Sequence, residues 1–131
     1  MKSSKKGFAH FIAAFGYTLA GLKAALVHEA AFRQDVVFAL ANIVAAWLLA
    51  GRIGTAGAVI LSALAAMVCI VELLNSAIEA VVDLESPESH ELAKRAKDMG
   101  SAAVGLSIGL VVAAWIALLA LPNANVLFSK C

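Results

Sequence analysis

The chain has 131 residues, 63% of them hydrophobic and 15% charged, with a formal net charge of +1. That apolar share exceeds what a soluble domain of this size can hide, so one polytopic membrane domain over residues 1–131 is expected and a soluble globular enzyme is excluded. The small net charge, with no basic patch interleaved with aromatics, gives no reason to expect a nucleic-acid partner.

Met1 to Lys6 is short, polar and basic. It lacks an apolar core followed by a small-residue cleavage site, so no removable signal peptide is expected. Residues 7–28 read as an amphipathic helix. Phe8, Phe11, Ile12, Phe15, Leu19, Leu22 and Leu26 fall within roughly 100° of arc, and His10, Tyr17, Gly21 and His28 gather opposite. Such a helix lies in a membrane interface with Lys23 near the headgroups.

EAAFRQD (Glu29 to Asp35) leads into a first span over about 30–51. Val36 to Gly51 carries no charge, and only Asn42 is strongly polar. That stretch is short for a hydrocarbon core of roughly 30 Å, so the helix should begin near Glu29, with Glu29 and Arg33 at the membrane mouth. Gly51, Arg52 and Gly54 suggest a tight turn. A second span, 54–83, then runs without a breaker to Asp83. Pro87 breaks it, ESPES supplies a loop, and Ser89 is placed to cap a short helix carrying His90, Glu91 and Lys94. Residues 84–98 are therefore read as a cytoplasmic loop. The third span, 99–121, carries Ser101, Gly105, Gly109, Ala113 and Ala117 at intervals of four, a stripe suited to close helix packing. Pro122 ends it. Cys69 and Cys131 form no CxxC pair, so neither a disulfide nor a zinc site is expected.

Lys2, Lys5, Lys6, Lys23 and Arg33 precede the first span, and Lys94, Arg95 and Lys97 lie between the second and third. The other side has Arg52 and Lys130. The positive-inside rule therefore puts the N-terminus and the 84–98 stretch in the cytoplasm, within reach of cytosolic ATP.

Seven of the nine acidic residues lie between Glu72 and Ser101. Glu72, Asn75, Glu79 and Asp83, spaced three, four and four, share roughly 80° of one helix face. A column of this kind on an apolar helix is costly unless a metal ion or cation compensates it, and intramembrane ionisable residues are functional candidates by default. With Glu29, Arg33, His90, Lys97 and Asp98 they form a polar mouth. Carboxylates and an amide oxygen suit Mg²⁺, which takes one or two protein carboxylates and the substrate's phosphates. Lysine and arginine suit phosphate oxygens. A carboxylate at the apolar boundary suits a general base for a hydroxyl. These are parts of a phosphoryl-transfer site. No Walker motif or kinase glycine loop is present, and spacing alone leaves a small membrane enzyme or a transporter using a divalent cation.

GYxxxGL (Gly16 to Leu22), EAAFRQ (Glu29 to Gln34), VELLNSAIEAVVD (Val71 to Asp83) and HELAKRAKDMGSAAV (His90 to Val104) resemble the small bacterial integral-membrane diacylglycerol kinases, in order over about 7–120. The resemblance implies an all-α homotrimeric bundle, each subunit with a surface helix and three transmembrane helices, in the bacterial inner membrane. It implies transfer of the γ-phosphate of MgATP to the primary hydroxyl of diacylglycerol, giving phosphatidic acid, at cytoplasmic sites between subunits. Glu72 matches the catalytic base and Asn75 its supporting amide. Glu29 and Glu79 match metal-bridging carboxylates that also contact the nucleotide. Tyr17, Glu88, His90, Lys97 and Asp98 match nucleotide contacts. Lys23, Arg33 and Ser101, with Glu72, fall in lipid-contacting regions, Lys23 replacing an arginine common there.

His10 stands where the family usually has an arginine. A neutral imidazole lacks the bidentate charged contact of a guanidinium, which puts its part in substrate binding in doubt. Pro87 and Ser89 are also atypical. The alternative enzyme is an undecaprenol kinase, with the same chemistry on a polyprenyl alcohol. A transporter using buried carboxylates would usually show internal repeats, and the sequence has none.

Overall fold

The computed structural model describes residues 3–86, 88 and 90–120, with side chains from residue 7 onward. All regular structure among them is helical: α1 Ser3–His28, α2 Ala30–Leu48, α3 Ala50–Glu85 and α4 Glu91–Ala120. Each contains a segment long and apolar enough to cross a membrane, by length and composition.

α3 is the central element, with α2 and α4 packed along it. Its buried positions Ala58, Leu61, Ala65, Val68, Glu72 and Asn75 alternate by three and four residues. That is the period of a two-helix seam, in which the buried stripe keeps facing its partner. α2 answers with Phe32, Ala39, Asn42 and Ala46, and α4 with Gly100, Ser107 and Val111. Small residues bring the backbones close. A Cβ added at Gly57 would stand 3.2 Å from a Leu118 methyl. Ala46, Ile53, Ala58 and Leu61 close the core at the α2–α3 turn, with Trp115 and Leu118 packed on them.

The turn itself differs from the one expected. α2 stops at Leu48, and the Leu49 carbonyl accepts from the backbone N–H groups of Arg52 and Ile53 at 2.8 and 3.0 Å. Gly51 and Arg52 are helical. The break falls at Gly54, whose φ of 79° glycine adopts without the Cβ strain other residues would meet. The 84–98 loop is corrected more substantially. α3 continues to Glu85, and Glu91 to Asp98 form the first two turns of α4 rather than a separate short helix. Nothing in ELAKRAKD interrupts a helix, and Lys94 pairs with Asp98 one turn on at 2.5 Å. The expected break at Pro87, cap at Ser89 and stop at Pro122 lie outside the described residues.

The small-residue stripe of α4 also packs differently. Ser101, Gly105, Gly109, Ala113 and Ala117 are exposed in the chain, and α4 meets α3 through the neighbouring Gly100–Ser107–Val111 face. α1 keeps its apolar stripe exposed from Phe8 to Leu26. Ala25 is its buried residue among the described side chains.

Candidate functional site

Towards the α3 C-terminus the seam changes character. Glu72 and Asn75, only 4% and 7% exposed, take positions that Leu61, Ala65 and Val68 fill earlier along the helix. The Ser76 hydroxyl donates to Glu72 Oε1 at 3.4 Å. Asn75 Oδ1 is buried without a hydrogen-bond partner among the described residues. α4 approaches this amide through Gly100, where an added Cβ would collide with Asn75 Oδ1.

Across the seam, α2 presents Asp35. One of its carboxylate oxygens, Oδ2, is likewise buried without a partner among the described residues. The Cys69 thiol donates to the Asp35 backbone carbonyl at 3.6 Å, and Asp35 lies near enough to Glu72 for their charges to interact. A buried polar atom without a partner costs about 1–3 kcal/mol, so these two oxygens, on two helices beside Glu72, are costly to stability as they stand.

Two cavities flank these residues. One of about 520 Å³ lies between α1 and α3, lined by Tyr17, His28, Glu29, Leu73 and Ser76 among others. A second, of about 400 Å³, lies between the α3 C-terminus and the α4 N-terminus, lined by Asp83, Glu88, His90, Lys94, Lys97 and Asp98 among others. Glu79 follows Asn75 by four residues on α3 and precedes Asp83, which lines the second cavity, by four. Thus Glu88, His90, Lys97 and Asp98 gather in one hollow, while Tyr17 and Glu29 gather in the other.

Side chains in the second cavity are already engaged. Lys97 Nζ donates to Asp83 Oδ1 at 2.9 Å. That hydrogen bond and the carboxylate charge hold the ammonium above its ordinary lysine value, so it stays cationic across the neutral range. The Leu92 N–H donates to His90 Nδ1 at 3.2 Å, so His90 caps α4. Among the described residues no group of three or more His, Cys, Asp or Glu is arranged to hold a metal. The donor set still fits Mg²⁺, because hard carboxylate oxygens and the free Asn75 oxygen can share the ion with phosphate oxygens.

Arg33 has a structural task. Its Nη1 donates to the carbonyls of Leu26 and Val27 at 3.1 and 3.2 Å, satisfying groups at the α1 C-terminus. His10, Lys23 and Ser101 are exposed and away from both cavities' linings. Asp35 and Gly100 are the residues that the acidic column on α3 alone does not reveal. Asp35 was readable from seam spacing on α2, three residues after Phe32 and four before Ala39.

The sequence profile of the prokaryotic diacylglycerol kinases matches residues 16–119. The chain is similar to a protein named diacylglycerol kinase of Escherichia coli (strain K12), 48% identical over 120 residues, 91% of this chain and 96% of that one. The protein of the same name in Pseudomonas aeruginosa is 46% identical over 113 residues, 86% and 90% of the two chains. That of Haemophilus influenzae is 39% identical over 109 residues, 83% and 91%.

Proposed function

Because the chain belongs to the prokaryotic diacylglycerol kinase family, we propose that it transfers the γ-phosphate of MgATP to the primary hydroxyl of diacylglycerol, giving phosphatidic acid and ADP. Burial of Glu72 in an otherwise apolar seam, beside the unpaired Asn75 oxygen, carries this reading. A carboxylate there meets an acceptor held in the membrane and a phosphate donor reaching down from the cytoplasm.

Glu72 takes the hydroxyl proton as that oxygen bonds to the γ-phosphorus. The bond to the bridging oxygen breaks, and ADP leaves with the electron pair. Asn75 orients Glu72 and the acceptor. Lys97, His90, Glu88 and Asp98 hold the nucleotide in the 400 Å³ cavity, and the nucleotide extends to Tyr17 in the neighbouring α1–α3 cavity. Glu29 and Glu79 would hold Mg²⁺ together with phosphate oxygens, and the ion supplies neutralisation of charge on the transferring group. Lys23, Arg33 and Ser101 border the lipid, and His10 faces the headgroups. α1 lies in the interface, a placement its exposed apolar stripe supports. The N-terminus is cytoplasmic, the membrane is the bacterial inner membrane, and the working unit is a homotrimer.

Purified protein in mixed micelles with labelled ATP and magnesium tests the function, with diacylglycerol and undecaprenol as separate acceptors. Label is expected in phosphatidic acid. Label in the polyprenyl lipid alone would replace the acceptor, and label in neither would end the reading. Glu72→Gln keeps the shape of the side chain and should fold, while kcat falls about 10²–10⁴-fold, as for loss of a positioned base. Activity within about threefold of wild type would remove Glu72 from that role.

A further inference from the structure

Asn42 is 7% exposed. Its Nδ2 donates to the Leu61 carbonyl of α3 at 3.0 Å. Its Oδ1 accepts from the Trp115 indole N–H of α4 at 2.6 Å. One α2 side chain thereby bonds to both other helices of the bundle, about 20 Å along α2 from Glu29 at 1.5 Å per residue.

Neither helix needs this amide to fill space, since an apolar side chain would fit a seam of alanine, leucine and valine. What such a seam lacks is a unique register. Positions of similar size recur every three and four residues, and a single buried polar residue is the known device for fixing which position meets which. Asn42 faces Leu61. Seven residues earlier on α2, Asp35 faces Cys69, eight residues later on α3. Continuing the same antiparallel register brings Glu29 level with Ser76, and those two residues share a cavity wall. A slip of one heptad would carry α2 about 10 Å along α3 and part Glu29 and Asp35 from Glu72.

We propose that Asn42 is a positioning residue: its amide pins α2 to α3 in the register that sets Glu29 and Asp35 against the Glu72–Glu79 face. The proposal rests on the reading of that face as the kinase site. The bond to Leu61 sets the register, and the bond from Trp115 orients the amide.

The test uses the full chain in mixed micelles. Asn42→Leu and Asn42→Ser remove both interhelical bonds, a serine being short enough to bond its own helix instead. Trp115→Phe removes the α4 bond alone, and Asn42→Gln keeps an amide. In a Trp47→Phe background Trp115 is the sole remaining tryptophan of two, and its emission reports the bond to position 42. Asn42→Leu and Asn42→Ser should lower kcat about tenfold or more, the scale of an ångström-sized misplacement, and raise the magnesium needed for half-maximal rate. Trp115→Phe should stay within about twofold on both measures, and Asn42→Gln should recover most of the loss. If Asn42→Leu does not fold, Asn42→Ser decides. A folded variant with altered Trp115 emission but wild-type kcat and magnesium dependence overturns the proposal. So does parallel loss of activity and thermal stability in Asn42→Leu and Trp115→Phe without a magnesium effect. Glu72→Gln, run beside them, separates the two readings: if it stays active the site assignment fails, whatever position 42 does.

Discussion

Glu72 sits where the same helix face otherwise carries leucine, alanine and valine. An ionised group at such depth costs on the order of 2.5–3.5 kcal/mol even on lenient scales, so a seam built only for stability would not contain it. Its spacing from Asn75 and Glu79 made this legible in the sequence. The need for Gly100 was not, because its reason lies on another helix: the Asn75 amide occupies the space where a Cβ would stand. Gly100→Ala should therefore turn the Asn75 amide away, that amide being the movable end of a side chain, rather than part the helices. We expect kcat to fall about tenfold or more with little change in thermal stability, measured by kinase assay and by unfolding of the same sample. A large drop in melting temperature with wild-type kcat in the surviving fold would reverse that assignment.

At the scale of elements, the helices were readable from composition and period, and their junctions were not. ELAKRAKD reads as loop beside an apolar span because it is charged, yet charge with good helix formers extends α4 beyond its apolar stretch. The link from α1 to the bundle was hidden for a different reason. A guanidinium reaching back to carbonyls six and seven residues earlier has no sequence signature, so Arg33 was visible only as a cation at the membrane mouth. With Ala25 as its buried residue among the described side chains, α1 is tied to α2 by this end contact and by the Glu29 N–H donating to the Ala25 carbonyl at 2.9 Å. Arg33→Met should release it. The expected result is faster amide exchange over residues 24–28 and higher KM for both substrates, with α2–α4 unfolding unchanged. Unaltered exchange there would show that the two hydrogen bonds do not hold α1.

For the whole molecule, three helices around one seam leave the proposed site open. Glu29 lines the α1–α3 cavity, whereas Lys97 and Asp98 line the second. The small-residue stripe of α4, exposed in the single chain, offers a face on which a neighbour's backbone can approach closely. Both observations favour a neighbouring subunit that closes the site around the Glu29 and Glu72 held together in one chain by the α2–α3 register. Composition could not reveal this, since apolar surface facing lipid and apolar surface facing another helix look alike in one sequence. Subunit mixing tests it. The Glu72→Gln and Glu29→Gln proteins should each be nearly inactive. Were the pair split between subunits in a ring whose interfaces join unlike faces, random exchange of equal amounts would unite an intact Glu72 with an intact Glu29 in about a quarter of the sites. Activity near that fraction of wild type, appearing after the two variants are denatured together and refolded in micelles, would place the pair across subunits and overturn the register proposal. With both carboxylates of each pair in one chain, every chain in the mixture lacks one, and co-refolding is expected to restore nothing.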